Sequence, residues 1–360
     1  MPTLAFQCAV RDRKALMQKE GIFMSISARA WARVVYVATR RAAMFLGTVL
    51  LVLPSVPATA AAWPSKPIRM VVAYPPGGGT DIVARLLARD LSDRLGVAVV
   101  VENRGGAAGA VGAAYVAHAE ADGNTLLFGA NAELTIAPAT NRSLPYDPLR
   151  DLIPITQIAG GPNILVASNG FAPNTLAELI QYAKAHPGVV NYSTGGNYGT
   201  THMATLQFEH RVGIDALAIP YRGSGPALQA VVANQVSFSF NTPGATLDLI
   251  KGKTLKAIAV ASDHRLGALP DVPTISESGY PGFTVGSWYG LLAPAGTPAD
   301  IVQRLHDETF RFLQLPETRE ALHRLYIDPI GSDSADFGAF MKEEIARYRA
   351  LMASLNLQPQ

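Results

Sequence analysis

Cysteine is nearly absent from this sequence, whose 360 residues contain only Cys8. A single thiol excludes an intramolecular disulfide and a metal site built from several thiolates. Cys8 also precedes the apolar run at 42–53, so it supplies no thiol for lipid attachment beyond that run. The chain is long enough to build two α/β domains with sizeable hydrophobic cores.

The motifs of common enzymes and nucleotide-binding loops are also missing. No Lys follows the glycines at 77–79, as a P-loop requires, and neither G-x-G-x-x-G nor G-x-S-x-G occurs. The histidines show no metal-ligand spacing, since even His202 and His210 lie eight residues apart. We therefore expect no catalytic residue, no metal site and no cofactor. A periplasmic hydrolase is the disfavoured alternative, which turnover of an ester would revive.

A large excess of one charge is lacking as well. The chain carries 30 Lys and Arg against 28 Asp and Glu, a formal net charge of +2. Residues 1–62 hold eight of the basic and two of the acidic residues, which leaves 22 basic and 26 acidic residues and a formal charge of −4. This balance indicates neither a surface for nucleic acid nor one for anionic lipid.

Residues 1–62 have the composition of an export signal. The apolar run at 42–53 is too short to cross a membrane comfortably, and small residues follow it at 58–62. The arginines nearest to the run are Arg29, Arg33, Arg40 and Arg41, which precede it. We predict that 1–62 is a signal peptide with an upstream extension, cleaved near Ala60–Trp63, and that the mature protein is periplasmic. Two starts, Met1 and Met24, and two export routes, general secretion and twin-arginine, stay open.

The stretch from Met70 to Leu91 organises the rest of the chain. An apolar run ends at Pro75-Pro76, and the glycines at 77–79 leave the backbone bare enough for a ligand to approach closely. Thr80 or Asp81 is expected to cap the helix that follows. The unpaired amides and partial positive charge of such a helix start would bind an anion, although a purely structural turn fits the same residues.

The order strand, glycine turn, helix recurs along the chain, which is typical of a mostly parallel sheet flanked by helices. Extended stretches at 152–159, 163–167 and 285–294 are predicted to cross between two such units. We therefore predict a two-lobed α/β fold. Lobe 1 comprises residues 63–165 and 290–360, and lobe 2 comprises residues 166–289.

Four predicted strand ends lead into glycine-rich helix starts: Pro76–Asp81, Asn103–Gly109, Ser193–Thr200 and Tyr221–Pro226. Ligands of open parallel sheets bind beyond the carboxyl ends of the strands. Each turn alone is explained as well by local structure, but the four together favour one anion-binding cleft between the lobes. Arg222 either contacts the ligand there or faces solvent.

Nine stretches follow one another between Trp63 and about Leu351: Trp63-Pro64 through Val72, PPGGGTDIVAR, VVVENRGGAAGAVGA, LPYDPLRDLIPI, STGGNYGTTH, YRGSGPALQAVVANQV, LKAIAVAS, LPDVPTISESGYPGF and SWYGLLAPAGTP. Together they resemble the Bug-type solute receptors of the tripartite tricarboxylate transporters, the TctC family. The resemblance implies a periplasmic binding protein type II-like fold, with a cleft between the lobes that closes on a small organic carboxylate.

The resemblance also implies which residues bind the ligand. Backbone amides, hydroxyls and bridging water would hold one carboxylate, and Trp288 would form a wall. On this sequence the implied contacts are Pro76, Gly77, Gly78, Gly79, Thr80, Asp81, Ser193, Thr194, Gly195, Gly199, Thr200, His202, Tyr221, Arg222, Gly223 and Asn241.

Two positions depart from the family pattern. Gly105 stands where Pro is usual, which loosens its turn, and Asn241 stands where Asp is frequent, which removes a negative charge and alters ligand choice. The resemblance implies a monomeric receptor that delivers its ligand to membrane permease subunits, and the alternative is presentation of the ligand to a sensor kinase. Family members bind amino acids, citrate-like acids, aromatic acids and uncharged ligands, so the resemblance does not fix the ligand.

Overall fold

The computed structural model describes residues 63–359. The predicted signal peptide, its upstream extension and the predicted cleavage residues 60–62 lie outside the described residues. Between residues 63 and 359, no helix combines the length and the hydropathy that a membrane span requires.

The described chain alternates strands and helices through most of its length. The strands are β1 (Ile68–Val72), β2 (Val99–Asn103), β3 (Thr125–Ala130), β4 (Leu152–Pro162), β5 (Ile164–Ser168), β6 (Asn191–Thr194), β7 (Leu217–Pro220), β8 (Phe238–Asn241), β9 (Leu255–Val260), β10 (Gly286–Pro294) and β11 (Asp328–Pro329). The helices are α1 (Gly79–Leu95), α2 (Ala110–Ala117), α3 (Ala137–Thr140), α4 (Pro148–Asp151), α5 (Leu176–Ala185), α6 (Thr200–Val212), α7 (Ser224–Val232), α8 (Pro243–Lys251), α9 (Ala299–Gln314), α10 (Pro316–Arg324) and α11 (Ser334–Ser354). A 3₁₀ turn (Ala107–Gly109) precedes α2, and a π-helical turn (Ala132–Ile136) precedes α3.

Six of the described strands form the first sheet, in the order β11-β4-β10-β3-β1-β2. β1 pairs in parallel with β2 and β3, and helices α1 and α2 follow β1 and β2 as crossovers. β10 runs antiparallel to both β3 and β4. The parallel part therefore comes from the strand-turn-helix units, and the antiparallel part from the long strands that lead to and from the second sheet.

The opening apolar run forms β1 and is buried on both faces of the sheet. Ile68, Met70 and Val72 pack with α1 and α9, whereas Val71 and Ala73 pack with α2 and α11. Successive side chains of a strand alternate between faces, so a strand between two helical layers needs an unbroken apolar run. Each large apolar side chain buried in this way contributes roughly 1.5–3 kcal/mol to stability.

The second sheet has the order β7-β6-β8-β5-β9. β6 is parallel to β7 and β8, whereas β5 is antiparallel to β8 and β9. Leu165 and Ala167 of β5 pack with α5 and α6, and Ile164 and Val166 pack with α7 and α8. The second sheet thus repeats the sandwich of one sheet between helices.

The predicted α/β class and the two sheets flanked by helices are confirmed. Both sheets are mixed, however, and not mostly parallel. The prediction rested on the repeated strand-turn-helix units, which favour parallel pairing. The crossing strands β4, β5 and β10 pair antiparallel instead, because tertiary contacts and not local patterns select their partners.

The outgoing chain crosses between the sheets at Asn163, which is the single residue between β4 and β5. Its amide donates to the carbonyl of Val285 at 2.9 Å, and its carbonyl accepts from the amide of Ala261 at 2.9 Å. The first bond ties the outgoing segment to the returning one, and the second ties it to the residue that follows β9. The lobe boundaries at 165/166 and 289/290 stay a prediction, while the sheets group Ile164 with the second sheet and Gly286 with the first.

Candidate ligand-binding site

A cavity of about 280 Å³ lies where strands of both sheets end. Its lining residues are Tyr74, Thr80, Ala130, Asn131, Asn163, Thr200, Thr201, Ser224, Gly225, Leu228, Asn241, Thr242, Ala245, Ser287 and Tyr289. Pockets for drug-sized ligands measure roughly 300–1,000 Å³, so this volume suits a ligand with only a few carbon atoms.

Four of the described helices begin at this cavity. The residues that reach it are Thr80 of α1, Thr200 and Thr201 of α6, Ser224 and Gly225 of α7, and Thr242 and Ala245 at the start of α8. Within residues 63–359, none of these four helix starts has an N-cap side chain bonded to its first turn. First-turn amides have no intrahelical partner and carry a partial positive charge, so this arrangement favours an anion. Most of the free amides belong to α1 and α6, because Pro226 of α7 and Pro243 of α8 have no N–H group.

The side chains around the cavity are uncharged. Threonines, serines, asparagines and two tyrosines line it, and the described lining includes no Lys, Arg, Asp or Glu. Burial raises the pKa of Tyr289, and it raises the pKa of Tyr74 well above the ordinary value, so both phenols stay protonated. The Tyr74 hydroxyl donates to Glu133, whereas the Tyr289, serine and threonine hydroxyls can donate hydrogen bonds to an anion without a salt bridge.

The first loop, residues 75–80, is held by Asp81, which is 3% exposed. The carboxylate accepts hydrogen bonds from the Gly77 amide, Arg85 Nε and Asn103 Nδ2, each at 2.9 Å. The Arg85 guanidinium, reinforced by the other two donors, lowers the pKa of Asp81 to about 2. Asp81 therefore stays ionised and fixes the loop, and it does not line the cavity.

The predicted cap of α1 is wrong. The helix begins at Gly79 with Gly78 as its N-cap, so Thr80 and Asp81 lie inside the first turn. From there Asp81 reaches back to the Gly77 amide, and Thr80 faces the cavity. A glycine N-cap has no side chain to accept from the first-turn amides, which leaves them free for a ligand.

The rest of the first loop is exposed and lies beside the cavity. This holds for Pro76, Gly77, Gly78 and Gly79. A Cβ atom built on Gly79 would lie 3.1 Å from the hydroxyl of Tyr289, whereas one on Gly78 would have no heavy atom within 4 Å. The bare backbone therefore matters at Gly79, where the loop meets a cavity-lining side chain.

The second loop, residues 194–199, is shaped by hydroxyl groups. Thr194 Oγ1 accepts from the Gly196 amide at 3.0 Å, and the Gly195 amide donates to Thr201 Oγ1 at 3.1 Å. A Cβ atom on Gly195 would lie 2.9 Å from the amide nitrogen of Ser224, so glycine allows this loop to pack against the start of α7. Gly199 is the N-cap of α6 and brings Thr200 to the cavity.

Ser193 and His202 support this loop from behind. Ser193 Oγ donates to the carbonyl of Ala227 at 2.8 Å, which ties β6 to α7. His202 Nδ1 accepts from the Tyr198 amide at 2.9 Å, and burial lowers the pKa of His202, so a neutral ring acts as the acceptor. Neither side chain lines the cavity.

In the predicted turn Tyr221–Pro226, the cavity-lining residues are Ser224 and Gly225. Gly223 is the N-cap of α7 with φ of 109°, a conformation that favours glycine. Tyr221 packs against the core of the second sheet, and Arg222 is exposed to solvent. These three residues lie next to the cavity and not in its wall.

Asn241, at the end of β8, lines the cavity, and its contact with a ligand stays a prediction. Its Nδ2 donates to Ser239 Oγ at 2.6 Å, and the side chain is buried. An amide here keeps the wall neutral, because the frequent family residue at this position would add a carboxylate.

Trp288 packs away from the cavity. Its ring lies edge-on to Phe337 at 5.4 Å between centroids, and its Nε1 donates to Glu344 at 2.9 Å. Its neighbours in β10, Ser287 and Tyr289, line the cavity instead. The reason is the alternation of side chains along a strand, which places adjacent residues on opposite faces.

The predicted turn Asn103–Gly109 supports the first loop and does not line the cavity. Asn103 Nδ2 donates to the Tyr74 carbonyl at 3.0 Å, and a Cβ atom on Gly105 would lie 3.3 Å from the Pro75 ring. The fourth helix start at the cavity is that of α8, which follows Asn241.

Several cavity side chains are not named by the sequence analysis: Tyr74, Asn131, Asn163, Ser287 and Tyr289. Pairing between β3 and β10 sets Ala130 opposite Tyr289, and this pairing has no local sequence signal. Ser224 and Thr242 differ, because they follow strand ends in glycine- and proline-containing turns that the sequence marks as helix starts.

Known proteins resemble this chain over most of its length. Residues 83–357 match the model of the tripartite tricarboxylate transporter family receptor, TctC. Protein BugT of Bordetella pertussis is 35% identical over 297 residues, which cover 82% of this chain and 91% of BugT. The chain belongs to the tripartite tricarboxylate transporter receptor family.

Solved structures show the same fold. MatC from Rhodopseudomonas palustris, solved with bound malate, is 33% identical with a TM-score of 0.71, and the match covers 80% of this receptor and 99% of MatC. An R. palustris protein solved with adipate is 32% identical with a TM-score of 0.75, covering 83% of this receptor and all of that protein (100%). The predicted family and the two-lobed α/β fold are thereby confirmed.

A buried acid stands behind the cavity wall of this TctC-family receptor. Glu133, in the π-helical turn, accepts from the Tyr74 hydroxyl at 2.5 Å and from the Ala130 amide at 2.7 Å. It is fully buried, and this burial raises the pKa of Glu133 to about 7. Because Tyr74 and Ala130 both line the cavity, Glu133 positions two parts of its wall.

A larger groove of about 1200 Å³ lies on the first sheet of the receptor, at the amino ends of β1 and β3. Its charged side chains already pair with one another, as Lys66 does with Asp122 at 2.8 Å and Arg69 with Glu102 at 3.0 Å. Ligand sites of α/β sheets lie at the opposite, carboxyl ends of the strands. Its size alone therefore does not make it the better candidate.

Proposed function

We propose that this receptor captures a small organic carboxylate in the periplasm and delivers it to the membrane permease subunits of a tripartite transporter. The observation that carries the proposal is the meeting of four helix starts without side-chain caps at one small cavity with uncharged walls. Amides at helix starts favour an anion, and a carboxylate is the organic anion that accepts several such bonds at once.

In this proposal the ligand contacts the first-turn amides of α1 and α6 together with three predicted side chains, Thr80, Thr200 and Asn241. The other predicted residues act through loop geometry. Asp81, Thr194 and the glycines hold the loops, and Ser193 and His202 support them from behind.

The strength of such a site is adequate without a salt bridge. Hydrogen bonds to a charged group contribute roughly 1.5–3 kcal/mol each, and a helix end adds about 0.3–1 kcal/mol. Association costs at least about 4 kcal/mol. A dicarboxylate that takes about three bonds at each end therefore reaches micromolar affinity, about −8 kcal/mol.

Relatives support the same ligand class and role. The R. palustris proteins solved with malate and with adipate both hold dicarboxylates. The family is that of the receptors of tripartite tricarboxylate transporters, which supports the permease subunits as the partner. The export composition of residues 1–62 supports a periplasmic location, where the receptor acts as a monomer.

A thermal-shift screen of the exported protein tests the proposal. Mono- and dicarboxylates are compared with their neutral amides at matched concentrations. A ligand that binds only the folded state stabilises it by about 2.7 kcal/mol at 100 times its Kd, so the Tm rises with the concentration of a bound acid. We expect shifts with acids and none with amides. Equal shifts with acids and amides, or none with any acid, would refute the proposal.

A further inference from the structure

A buried acid without a counter-charge stands directly behind the cavity wall. Glu133 is 0% exposed, and its carboxylate oxygens lie 2.5 Å from the Tyr74 hydroxyl and 2.7 Å from the Ala130 amide. Tyr74 and Ala130 both line the cavity, so one hydrogen bond separates the carboxylate from two parts of the wall. Within residues 63–359, no cationic side chain is paired with it.

The titratable groups in contact with Glu133 are tyrosines. Tyr74, after β1, donates to the carboxylate, and Tyr146, before α4, donates to the Glu133 carbonyl at 2.6 Å. Tyr289 of β10 belongs to the same cavity wall. Burial raises the pKa of each of these tyrosines. All three are therefore uncharged near neutral pH and cannot balance the charge of an ionised Glu133.

The elements around the acid do not balance its charge either. The π-helical turn packs against β3, the 3₁₀ turn, α2, α3, α6 and α11. The first four carry no charged residue. On α11, Glu344 and Arg347 pair with each other, as Asp81 and Arg85 do on α1. At the start of α6, burial lowers the pKa of His202, and its neutral ring accepts a backbone amide at 2.9 Å.

An anion in the cavity and a carboxylate behind its wall repel each other. A nearby like charge raises the pKa of an acid, and a buried setting strengthens the effect because the local dielectric is low. In the free receptor, burial already raises the pKa of Glu133 to about 7. An anionic ligand raises it further, so the ligand-bound state holds the proton more tightly than the free state does. Binding of the anion and of the proton therefore favour each other.

The surroundings of Glu133 fit both protonation states. One carboxylate oxygen, Oε1, accepts from the Ala130 amide in either state. The other, Oε2, accepts from the Tyr74 hydroxyl when ionised and can donate to the same hydroxyl oxygen when protonated. A Cβ atom on Gly109 would lie 2.6 Å from Oε2, so the glycine turn before α2 leaves the space that this oxygen occupies. The proton can therefore be bound without rearrangement of the wall.

We propose that Glu133 is a proton-binding site coupled to the ligand cavity, so that the receptor takes up a proton from solvent when it binds a carboxylate. The inference rests on the proposed function, since the cavity must first hold the anion. It adds a second bound species to the capture step and makes capture strongest on the acidic side of neutral pH.

Calorimetry of the exported protein in two buffers with different ionisation enthalpies tests the inference. The probes are malate, succinate, adipate and propionate, whose carboxyl groups are ionised near pH 7.5. The difference in binding heat between the buffers gives the number of protons taken up. For a ligand that raises the pKa of Glu133 by about one unit, we expect uptake of about half a proton at pH 7.5. The affinity should fall about five- to tenfold from pH 6.5 to pH 9.

The outcomes separate the inference from the proposed function. An acid that binds with no proton uptake and with the same affinity across this pH range refutes the inference and leaves the proposed function standing. If none of the four acids binds, both fail.

Glu133→Gln locates the proton. Glutamine resembles the protonated acid, since its oxygen can accept from Ala130 and its nitrogen can donate to Tyr74. Proton uptake should disappear, and the affinity at pH 9 should stay within about twofold of that at pH 6.5. Uptake that persists in this variant would show that another group, such as His202 beside the second loop, takes the proton, and it would contradict the inference.

A matched control comes from a second buried acid with a similar pKa. Burial raises the pKa of Glu209 to about 7, and this residue accepts from the Ala216 amide at 2.7 Å, away from the cavity lining. Glu209→Gln should keep the proton uptake and the pH dependence of binding, and their loss would contradict the inference. If Glu133→Gln does not fold, Tyr74→Phe decides. Loss of the hydroxyl donor disfavours the ionised carboxylate, so the pH of greatest uptake should rise, and an unchanged pH of greatest uptake would refute the inference.

Discussion

Replacement of Gly79 by valine should abolish tight binding and leave the fold intact. A Cβ atom at this position already lies 3.1 Å from the Tyr289 hydroxyl, closer than the ordinary contact distance of about 3.5–4.0 Å. Valine adds two methyl groups, so the cavity wall at Tyr289 must move away from the first turn of α1. Valine is a better helix former than glycine, which offsets part of the cost of this movement, so stability should change little.

The loss follows from the bonds at this helix start. One hydrogen bond to a charged ligand contributes roughly 1.5–3 kcal/mol, so displacement of a single donor weakens binding about 10- to 100-fold. Calorimetry with the acid that gives the largest thermal shift measures this factor, and urea unfolding of the free protein measures stability. Gly78→Val is the matched control, since no heavy atom lies within 4 Å of a Cβ atom there.

The control should change the affinity less than about threefold, because the substituted position is exposed and outside the cavity wall. Wild-type affinity in Gly79→Val would remove the start of α1 from the site. Equal losses in both variants would show that loop mobility, and not the approach to Tyr289, governs binding.

Four further predictions concern the charged groups and the second helix start. Thr200→Ala should weaken the binding of the acid by about 1–3 kcal/mol. Arg222→Ala should leave the affinity for the acid unchanged, because Arg222 is exposed and lies outside the cavity wall. Calorimetry measures both affinities. Asp81→Asn should lower the free energy of unfolding by about 1–2 kcal/mol at neutral pH, because it removes a carboxylate whose pKa in the folded state lies at about 2. Urea titrations at pH 7 and pH 3 measure this difference between the variant and the wild type. The difference should be smaller at pH 3, where the wild-type carboxylate is closer to protonation. Burial raises the pKa of Glu133 in the folded state to about 7, so the folded state holds this proton more tightly than the unfolded state. The free energy of unfolding therefore falls as the pH rises from about 4.5 to 7, by roughly 3 kcal/mol at about 1.4 kcal/mol per pKa unit. Urea titrations across this pH range should show that this fall is absent in Glu133→Gln.

Each of these outcomes can fail in a distinct way. A large loss in Arg222→Ala would mean that a side-chain charge holds the ligand. Full affinity in Thr200→Ala would exclude the start of α6. An Asp81→Asn variant as stable as the wild type would show that the first loop does not depend on the carboxylate. An unchanged pH profile in Glu133→Gln would mean that another acid dominates, and Glu209, with a pKa raised by burial to about 7, is the alternative.

The sequence predicted those parts of the fold that local chemistry determines. The apolar run before Pro75, the glycine turns at 77–79 and 195–196, and the extended stretches at 152–159 and 285–294 all lie where they were expected. Glycine and proline restrict the backbone directly, and apolar runs show which strands are buried. The family motifs then fixed the order of these elements.

The sequence did not predict contacts that depend on strand partners. The register of β10 against β3 and β4, with its irregular steps, decides that Tyr289 lines the cavity and that Trp288 belongs to the core. Asn163 has no local motif at all, since its place in the cavity wall comes from the crossing point between the two sheets. The predicted N-cap of α1 was wrong because threonine and aspartate are stronger N-cap signals in a sequence than glycine, and the N-cap is Gly78.

The crystal structure of the receptor with the tightest acid from the screen tests the central claim most directly. The account predicts a carboxylate group whose oxygens lie about 3 Å from the first-turn amide nitrogens of α1 and α6, with no charged side chain in contact. A carboxylate paired with Arg222, or one bound in the larger groove beside β1, would contradict it.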